Sequence, residues 1–447
     1  MSHLETSPDK RMMTRIWNPW REIEEMADRC TEAVGQSGFI AVHCNGHRKA
    51  EKKDKPIVTG MFPNNQVTLL QNGEVYFRAL EAAIDRAMHE IYLETYIFEN
   101  DDTGRRIAEA LRRAASRGAK THVLIDGFGS IALPKTMVDD LEAGGVRVLK
   151  FRPKTSPWTL RRRRLRRLHR KIVVVDRTIA FVGGINIIDY MDKDSQTSSR
   201  FDCAVSLEGP LVEAIRDSVY RVWSRVAWTR LIPGRGRDNQ ERVPSIDPKG
   251  LMNAAFLVRN NIRHRRDIED AYLQAIEQAK REIIIANAYF LPGLNFRHAL
   301  VDAAGRGVRV VLLLQGRMDH PMAHYASRAL YGSFLDAGIE IHAYHESLMH
   351  AKVAVIDGHW ATVGSSNLDP FSLLLSLEAN VVVDDEGFAI KLKHSLEQAI
   401  KLGARRITEN SWRTQSIQLR LVSWLSYGLV RFMIGIAGYA PGKSRVK

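Results

Sequence analysis

The feature that most limits what this chain can fold into is a duplication. His169, Lys171, Asp176, Gly183 and Asn186 recur, at the same offsets, as His350, Lys352, Asp357, Gly364 and Asn367. One copy of so sparse a pattern would be weak evidence, but two copies with identical spacing are not a coincidence. In the second copy, Val353–Ile356 and Trp360–Val363 are short apolar runs separated by Asp357-Gly358, a turn signal. The motif therefore reads as strand, turn, strand. Alternation along the first strand sends His350 and Lys352 to one face, and Gly364-Ser365-Ser366-Asn367 can return an amide and backbone N–H groups beside them. An imidazole, an ammonium and an amide in one small volume form a site for a phosphate-like anion.

The elements around the motif are duplicated too. Glu74–Glu90 has helical periodicity and leads into the apolar run Ile91–Phe98; a second helix, Thr103–Arg117, ends at Gly118, and Thr121–Ile125 follows as a strand. The same order returns as Ile268–Arg281, Ile283–Phe290, Phe296–Arg306 and Val308–Leu314. Such alternation predicts an α/β fold with a largely parallel sheet. A period of roughly 180–190 residues is too long for a solenoid and predicts two homologous domains facing each other across a pseudo-twofold axis, with one shared site. The expected division is a poorly structured extension over 1–60, a first domain over 61–245, a second over 246–406 and a membrane-associating segment over 407–447.

The net charge of +14 predicts attraction to polyanions, either nucleic acid or an anionic membrane surface. Cys30, Cys44 and Cys203 are few, odd in number and widely spaced, so no disulfide framework or zinc site is expected, and a reducing compartment follows. Met1–Asp28 lacks the apolar core of a secretory signal. Leu421–Ala440 is long enough to cross a bilayer. Arg431 near its middle and Gly428, Gly435 and Gly438 favour instead an interfacial or re-entrant anchor, with a spanning helix or a core helix as alternatives. The halves also differ in length before the motif. The first carries about a dozen extra residues, including Arg161-Arg162-Arg163-Arg164-Leu165-Arg166-Arg167, a basic run expected to meet anionic lipid headgroups.

Cleaving a phosphodiester needs cationic and N–H donors on its anionic oxygens, a nucleophile, and an acid for the leaving alkoxide. Lys171 and Lys352 with Asn186 and Asn367 supply the first set, and the two histidines supply the rest. No metal or other cofactor is called for, and no carboxylate cluster suggests a two-metal site. Asp176 and Asp357, at strand ends, are expected to fix the Lys and turn geometry rather than touch substrate.

The duplicated motif resembles that of the phospholipase D superfamily. Asn287-Ala288-Tyr289-Phe290-Leu291-Pro292, the block His350–Asn380, and Asp202 through Glu208-Gly209-Pro210 narrow the resemblance to bacterial cardiolipin synthases, most like the type B branch, over about residues 62–440. The resemblance implies two phospholipase D-like α/β domains with mixed sheets flanked by helices. It implies a phosphohistidine on His169, with His350 as acid and then base. By position it implies Glu378 as the orienting partner of His350 and, by analogy, Asp202 as that of His169. The implied reaction joins two phosphatidylglycerols into cardiolipin and glycerol, with a phospholipase D hydrolase, a glycerol-using transferase and, more distantly, a nuclease as alternatives. The expected partners are anionic phospholipids and the cytoplasmic face of a bacterial inner membrane, bound peripherally, with no nucleic acid and no protein partner. One departure stands out: Gly184 and Ile185 occupy the places of Ser365 and Ser366, removing two hydroxyl donors from the first half.

Overall fold

The computed structural model describes residues 60–152, 166–190, 200–229, 247–260, 264–369 and 376–436, with side chains to residue 433. The extension over 1–59, most of the arginine run, the loop over 191–199, the linker over 230–246 and the last residues lie outside these. The first half runs β1 (Phe62–Gln71), α1 (Asn72–Arg86), β2 (Glu90–Thr95), α2 (Asp102–Ser116), β3 (Lys120–Asp126) and α3 (Lys135–Ala143). It continues through β4 (Arg147–Phe151), β5 (Arg167–Leu168), β6 (Ile172–Val175), β7 (Ile179–Gly183), β8 (Cys203–Glu208) and α4 (Leu211–Thr229). The second half opens with β9 (Met252–Arg259), α5 (Asp267–Gln278), β10 (Glu282–Asn287), α6 (Leu294–Gly305), β11 (Arg309–Gln315), α7 (Pro321–Arg328) and α8 (Tyr331–Asp336). It closes with β12 (Glu340–Tyr344), β13 (Lys352–Ile356), β14 (Trp360–Gly364), β15 (Ser376–Asp384), α9 (Glu386–Gly403), β16 (Ala404–Ile407), α10 (Glu409–Arg413) and α11 (Ile417–Ile436).

Strand order makes the duplication visible. From the centre outward the first half reads β1-β8-β7-β6-β2-β3-β4 and the second β9-β15-β14-β13-β10-β11-β12, the two joined by antiparallel pairing of β1 with β9. The sheet is mixed, as the resemblance implied, rather than largely parallel as the helix–strand alternation alone suggested. Within each half only β2-β3-β4 and β10-β11-β12 run parallel, because only these are linked by crossover helices. The motif strands are hairpins and pair antiparallel.

Burial explains the packing. Each half has its own core, around Leu80, Ile107 and Val123 in the first and Leu300, Leu312 and Ile341 in the second. A third cluster unites Val182, Val205 and Leu207 with Val363, Val381 and Val383, so β7 and β8 lie against β14 and β15. Helix α4 also reaches across the junction, where Trp223 and Val226 pack in a small cluster with Leu168 and Leu377. The last helix, α11, buries Tyr427 and Val430 in the second half's core and packs along α7. Its other side leaves Leu421, Leu425, Leu429 and Phe432 exposed, spaced three or four apart as one helical stripe. Among the described residues no helix is long and apolar enough to cross a membrane.

The motif's acids sit at the turn of each hairpin, away from the histidines. Asp176 has φ 49° and Asp357 φ 52°, a left-handed conformation that short polar residues tolerate. The Asp176 carboxylate accepts the N–H groups of Met88, His89 and Glu90 at 2.7–2.9 Å, and Asp357 those of Lys280, Arg281 and Glu282 at 2.8–2.9 Å. Each aspartate thus ties its hairpin to the start of β2 or β10; neither contacts a motif lysine. Replacing Asp357 by Ala strands three backbone donors and is expected to destabilise the fold by about 1–3 kcal/mol. Urea unfolding measures this, and turnover per folded molecule should be unchanged.

Candidate active site

Sheet pairing brings the two motifs together through the backbone. Arg167 and Leu168 of β5 pair in parallel with Ser376 and Leu377 of β15, and Phe201 forms a bridge with Met349. In consequence the His169 N–H donates to Leu377 O at 3.0 Å and the His350 N–H to Phe201 O at 2.8 Å. Each histidine is therefore stitched to the residue preceding the other half's carboxylate. The side chains follow. His169 Nδ1 lies 3.0 Å from Glu378 Oε1, and His350 Nδ1 lies 2.7 Å from Asp202 Oδ2.

This corrects the sequence expectation, which paired Glu378 with His350 and Asp202 with His169. Asp202 and Glu378 are equivalent positions, since Ala204 pairs with Gly183 as Asn380 does with Gly364. Each serves the opposite histidine because the halves pack face to face, so a carboxylate at the end of one half's strand points across the interface. Both carboxylates are fully buried, and accepting Nδ1–H they leave Nε2 of each ring with its lone pair.

The remaining motif residues converge here. Lys171 Nζ donates to His169 O at 2.8 Å, and Lys352 Nζ donates to His350 O. Asn186 Oδ1 accepts from Ile97 N at 3.2 Å, which leaves its amide hydrogens for an external acceptor. Asn367 is buried at the matching position. The expected hydroxyl donors are otherwise engaged: Ser365 Oγ donates to Glu378 Oε2 at 2.5 Å, and Ser366 Oγ is directed at Asn367 O. In the first half the same support comes from a different residue, Tyr190, whose hydroxyl donates to Asp202 Oδ2 at 3.2 Å and accepts from Asn186 N at 3.0 Å. Gly184 leaves no room for a serine there, since a Cβ would collide with Asp202 Oδ1.

A sequence model described as "Cardiolipin synthase, PLD-like domain" matches residues 80–217 and 272–400. Cardiolipin synthase B of Escherichia coli K12 is 39% identical over 386 residues, covering 84% of this chain and 90% of that protein. Cardiolipin synthase of Geobacillus thermodenitrificans is 32% identical over 317 residues, 71% of this chain and 62% of that one. This chain belongs to the cardiolipin synthase family of phospholipase D-like proteins. The fold agrees: phosphatidylserine synthase of Haemophilus influenzae superposes with a TM-score of 0.61 at 12% identity, covering 92% of this chain and 98% of that one.

For a cardiolipin synthase family site the electrostatics are informative. Burial lowers Lys171 to about 7, with Lys352 adding to the fall and Glu378, Asp202 and Asp126 opposing it. Burial likewise lowers Lys352 to about 8 against the pull of Asp202 and Glu378. His350 falls to about 4 through burial and the two lysines, despite Asp202. His169 is also lowered, by burial first, with Glu378 opposing and Lys171 and Lys352 assisting. Burial would raise Asp202, but His350, Lys352 and the Cys203 N–H hold it below its usual range. Two buried cations facing each other with neutral imidazoles beside them make a site short of negative charge, which a phosphodiester supplies. Among the described residues no group of three or more His, Cys, Asp or Glu side chains could hold a metal ion.

Sequence reasoning passed over several residues. Asp126 and Gln315 end β3 and β11, and each accepts the N–H of the residue preceding a motif histidine, Leu168 at 2.8 Å and Met349 at 3.2 Å. The edge of the Tyr96 ring lies 4.9 Å from His169, centroid to centroid, and Lys171 Nζ lies 5.4 Å from the same ring. The stretch from Arg117-Gly118 to Gly127 has the same length as that from Arg306-Gly307 to Gly316, a signal that could have pointed to Asp126 and Gln315; Tyr96 had no sequence signal.

The lysine shifts predict the pH response. Each ammonium is present below its lowered pKa and lost above it, so anion binding weakens as pH rises. The alkaline limb of kcat/KM, which reports the free enzyme, should bend between about 7 and 8 rather than near 10.5. A profile flat to pH 9 would contradict this.

Proposed function

We propose that this chain is a cardiolipin synthase, transferring a phosphatidyl group from one phosphatidylglycerol to another. The observation that carries the reading is the pair of histidines, each held by the other half's buried carboxylate around two lysines. Family membership supports the lipid substrate. His169 Nε2 attacks phosphorus, the bond to the glycerol headgroup breaks, and His350 gives the departing alkoxide a proton. The phosphate's own negative charge offsets Lys171 and Lys352 and raises the proton affinity of His350, which takes up a proton from solvent at Nε2 as the donor lipid binds and holds it for this task. A hydroxyl of the second phosphatidylglycerol then loses its proton to His350 and attacks the phosphohistidine. The P–N bond breaks, yielding cardiolipin, with glycerol already released. Glu378 orients the nucleophile and Asp202 the acid and base. Limited exposure of the rings, with side chains 15% and 25% accessible for His169 and His350, disfavours water as the acceptor.

The test is product analysis by mass spectrometry on phosphatidylglycerol liposomes. Wild type should form cardiolipin, and His169→Ala and His350→Ala none. Glu378→Gln should slow formation of the covalent intermediate, and Asp202→Asn both its formation and its resolution, each by about 10²–10⁴-fold. Phosphatidic acid as the sole product would replace the transferase with a hydrolase.

The same reading includes peripheral binding to the cytoplasmic face of a bacterial inner membrane through α11. Its exposed stripe, with Leu425 and Phe432 each 64% accessible, lies opposite the buried Tyr427 and Val430, so it is available without disturbing the core. Changing Leu425 and Phe432 together to Asp should lower co-sedimentation with anionic vesicles while leaving the melting temperature unchanged. Equal binding by the variant would remove α11 from this role.

A further inference from the structure

The reaction proposed above involves two phosphates, whereas the motif residues form a near-symmetric set around one. Lys171 and Lys352, Asn186 and Asn367, His169 and His350 all address the transferred phosphate. The acceptor lipid carries a second phosphodiester, separated from the attacking hydroxyl by the glycerol carbons. That anion must lie off the pseudo-twofold axis, on one side of the site.

The two sides differ in charge at the residue two before each histidine. On one side this residue is Arg167 of β5, on the other Leu348. Alternation puts Arg167 on the same face of the strand as His169. Its guanidinium lies 4.9 Å from the ring centroid of Phe128, in the loop following β3. It is half-buried, its Nη1 is enclosed without a hydrogen-bond acceptor, and among the described residues no carboxylate lies in ion-pair contact with it, although Asp126 feels its charge. Asp126 stands nearby, but its oxygens are engaged by the N–H groups of Phe128, Gly129 and Leu168. Arg167 is close enough to Tyr96 to favour its ionised form, and the Tyr96 ring abuts His169. The guanidinium therefore stands at the mouth of the site.

Among the described residues the second half has no arginine at the position of Arg167; the Phe201–Met349 bridge brings Arg200 alongside Leu348 instead, with its guanidinium 6.0 Å from the centroid of the Tyr190 ring. The position equivalent to Phe128 is Arg317, counted from the ends of β3 and β11. Its Nε and Nη2 donate to the carbonyls of His345 and Glu346 at 2.8 and 2.6 Å. A guanidinium seated on an aromatic ring and without an ion-pair contact among the described residues is a preorganised fork for phosphate.

We propose that Arg167, seated on Phe128, binds the phosphate of the acceptor lipid and so selects an anionic phospholipid over a neutral alcohol. The proposal rests on the transferase reading. The two substrates then have different handles: the donor's phosphate is held by the paired motif, the acceptor's by Arg167 beside it.

The experiment compares two acceptors in one preparation. Isotope-labelled glycerol exchanging into phosphatidylglycerol reads the donor half-reaction with a neutral acceptor; cardiolipin formation reads the anionic acceptor. Arg167→Gln should lower cardiolipin formation by about tenfold to a hundredfold, the worth of a charge-assisted hydrogen bond, through a raised KM. Glycerol exchange should fall far less. Arg167→Lys, a point charge without the fork, should recover part of the loss. Because exchange also reports folding, an equal fall in both activities would overturn the proposal in favour of a structural or donor role, and no change in either would overturn it outright. Wild-type protein that exchanges glycerol but forms no cardiolipin would sink the synthase reading, and this one with it.

Discussion

Two backbone hydrogen bonds across the interface, His169 N–H to Leu377 O and His350 N–H to Phe201 O, are the constraint on which the site depends. They set each histidine beside a carboxylate it could not reach within its own half. A rigid sheet positions the donors, so ring orientation is fixed before substrate arrives, and little ordering remains to be done in the reaction. Neither half alone holds an oriented histidine, which makes the interface itself the catalytic element.

The same interface brings two lysines into one buried volume. Burial lowers both, toward about 7 and 8, with Lys352 adding to the fall of Lys171, and the carboxylates of Glu378 and Asp202 only partly offset this. Such an arrangement costs stability in the free protein. Its counterpart is strong preference for a phosphodiester, whose charge satisfies both ammonium groups at once. The histidines, neutral in the free site, regain basicity in the same event. Binding and activation are thus one electrostatic step.

The pseudo-symmetry is kept where chemistry needs it and broken around it. Asp202 with Tyr190 answers Glu378 with Ser365: a carboxylate one methylene shorter is supported by a long phenol, and the longer one by a short hydroxyl. Asp126 answers Gln315, adding a negative charge to the first half alone. Tyr96 borders His169, while the matching place after β10 is Ala288. These differences give two chemically similar histidines unlike surroundings, which suits one to bond to phosphorus and the other to move protons.

Local signals carried much of this to the reader of the sequence. The duplicated motif, its hairpin geometry and the helix–strand order follow from side-chain alternation, turn residues and periodicity, all short-range properties. So does the placement of Asp176 and Asp357 at their turns, though not the expected hold on the lysines, which donate to the His169 and His350 carbonyls instead. The antiparallel centre of the sheet was not legible, because strands β1 and β9 are defined by partners far along the chain. The crossed pairing of Glu378 and Asp202 was not legible either: spacing assigns each carboxylate to its own half, and only face-to-face packing sends it across. The character of Leu421–Ala440 was ambiguous for the same reason, since an apolar run does not reveal which face another element will cover. By itself the sequence singled out the residues now proposed to do the chemistry. Tertiary structure decided which of them act together, because that depends on contacts between residues 209 and 148 positions apart.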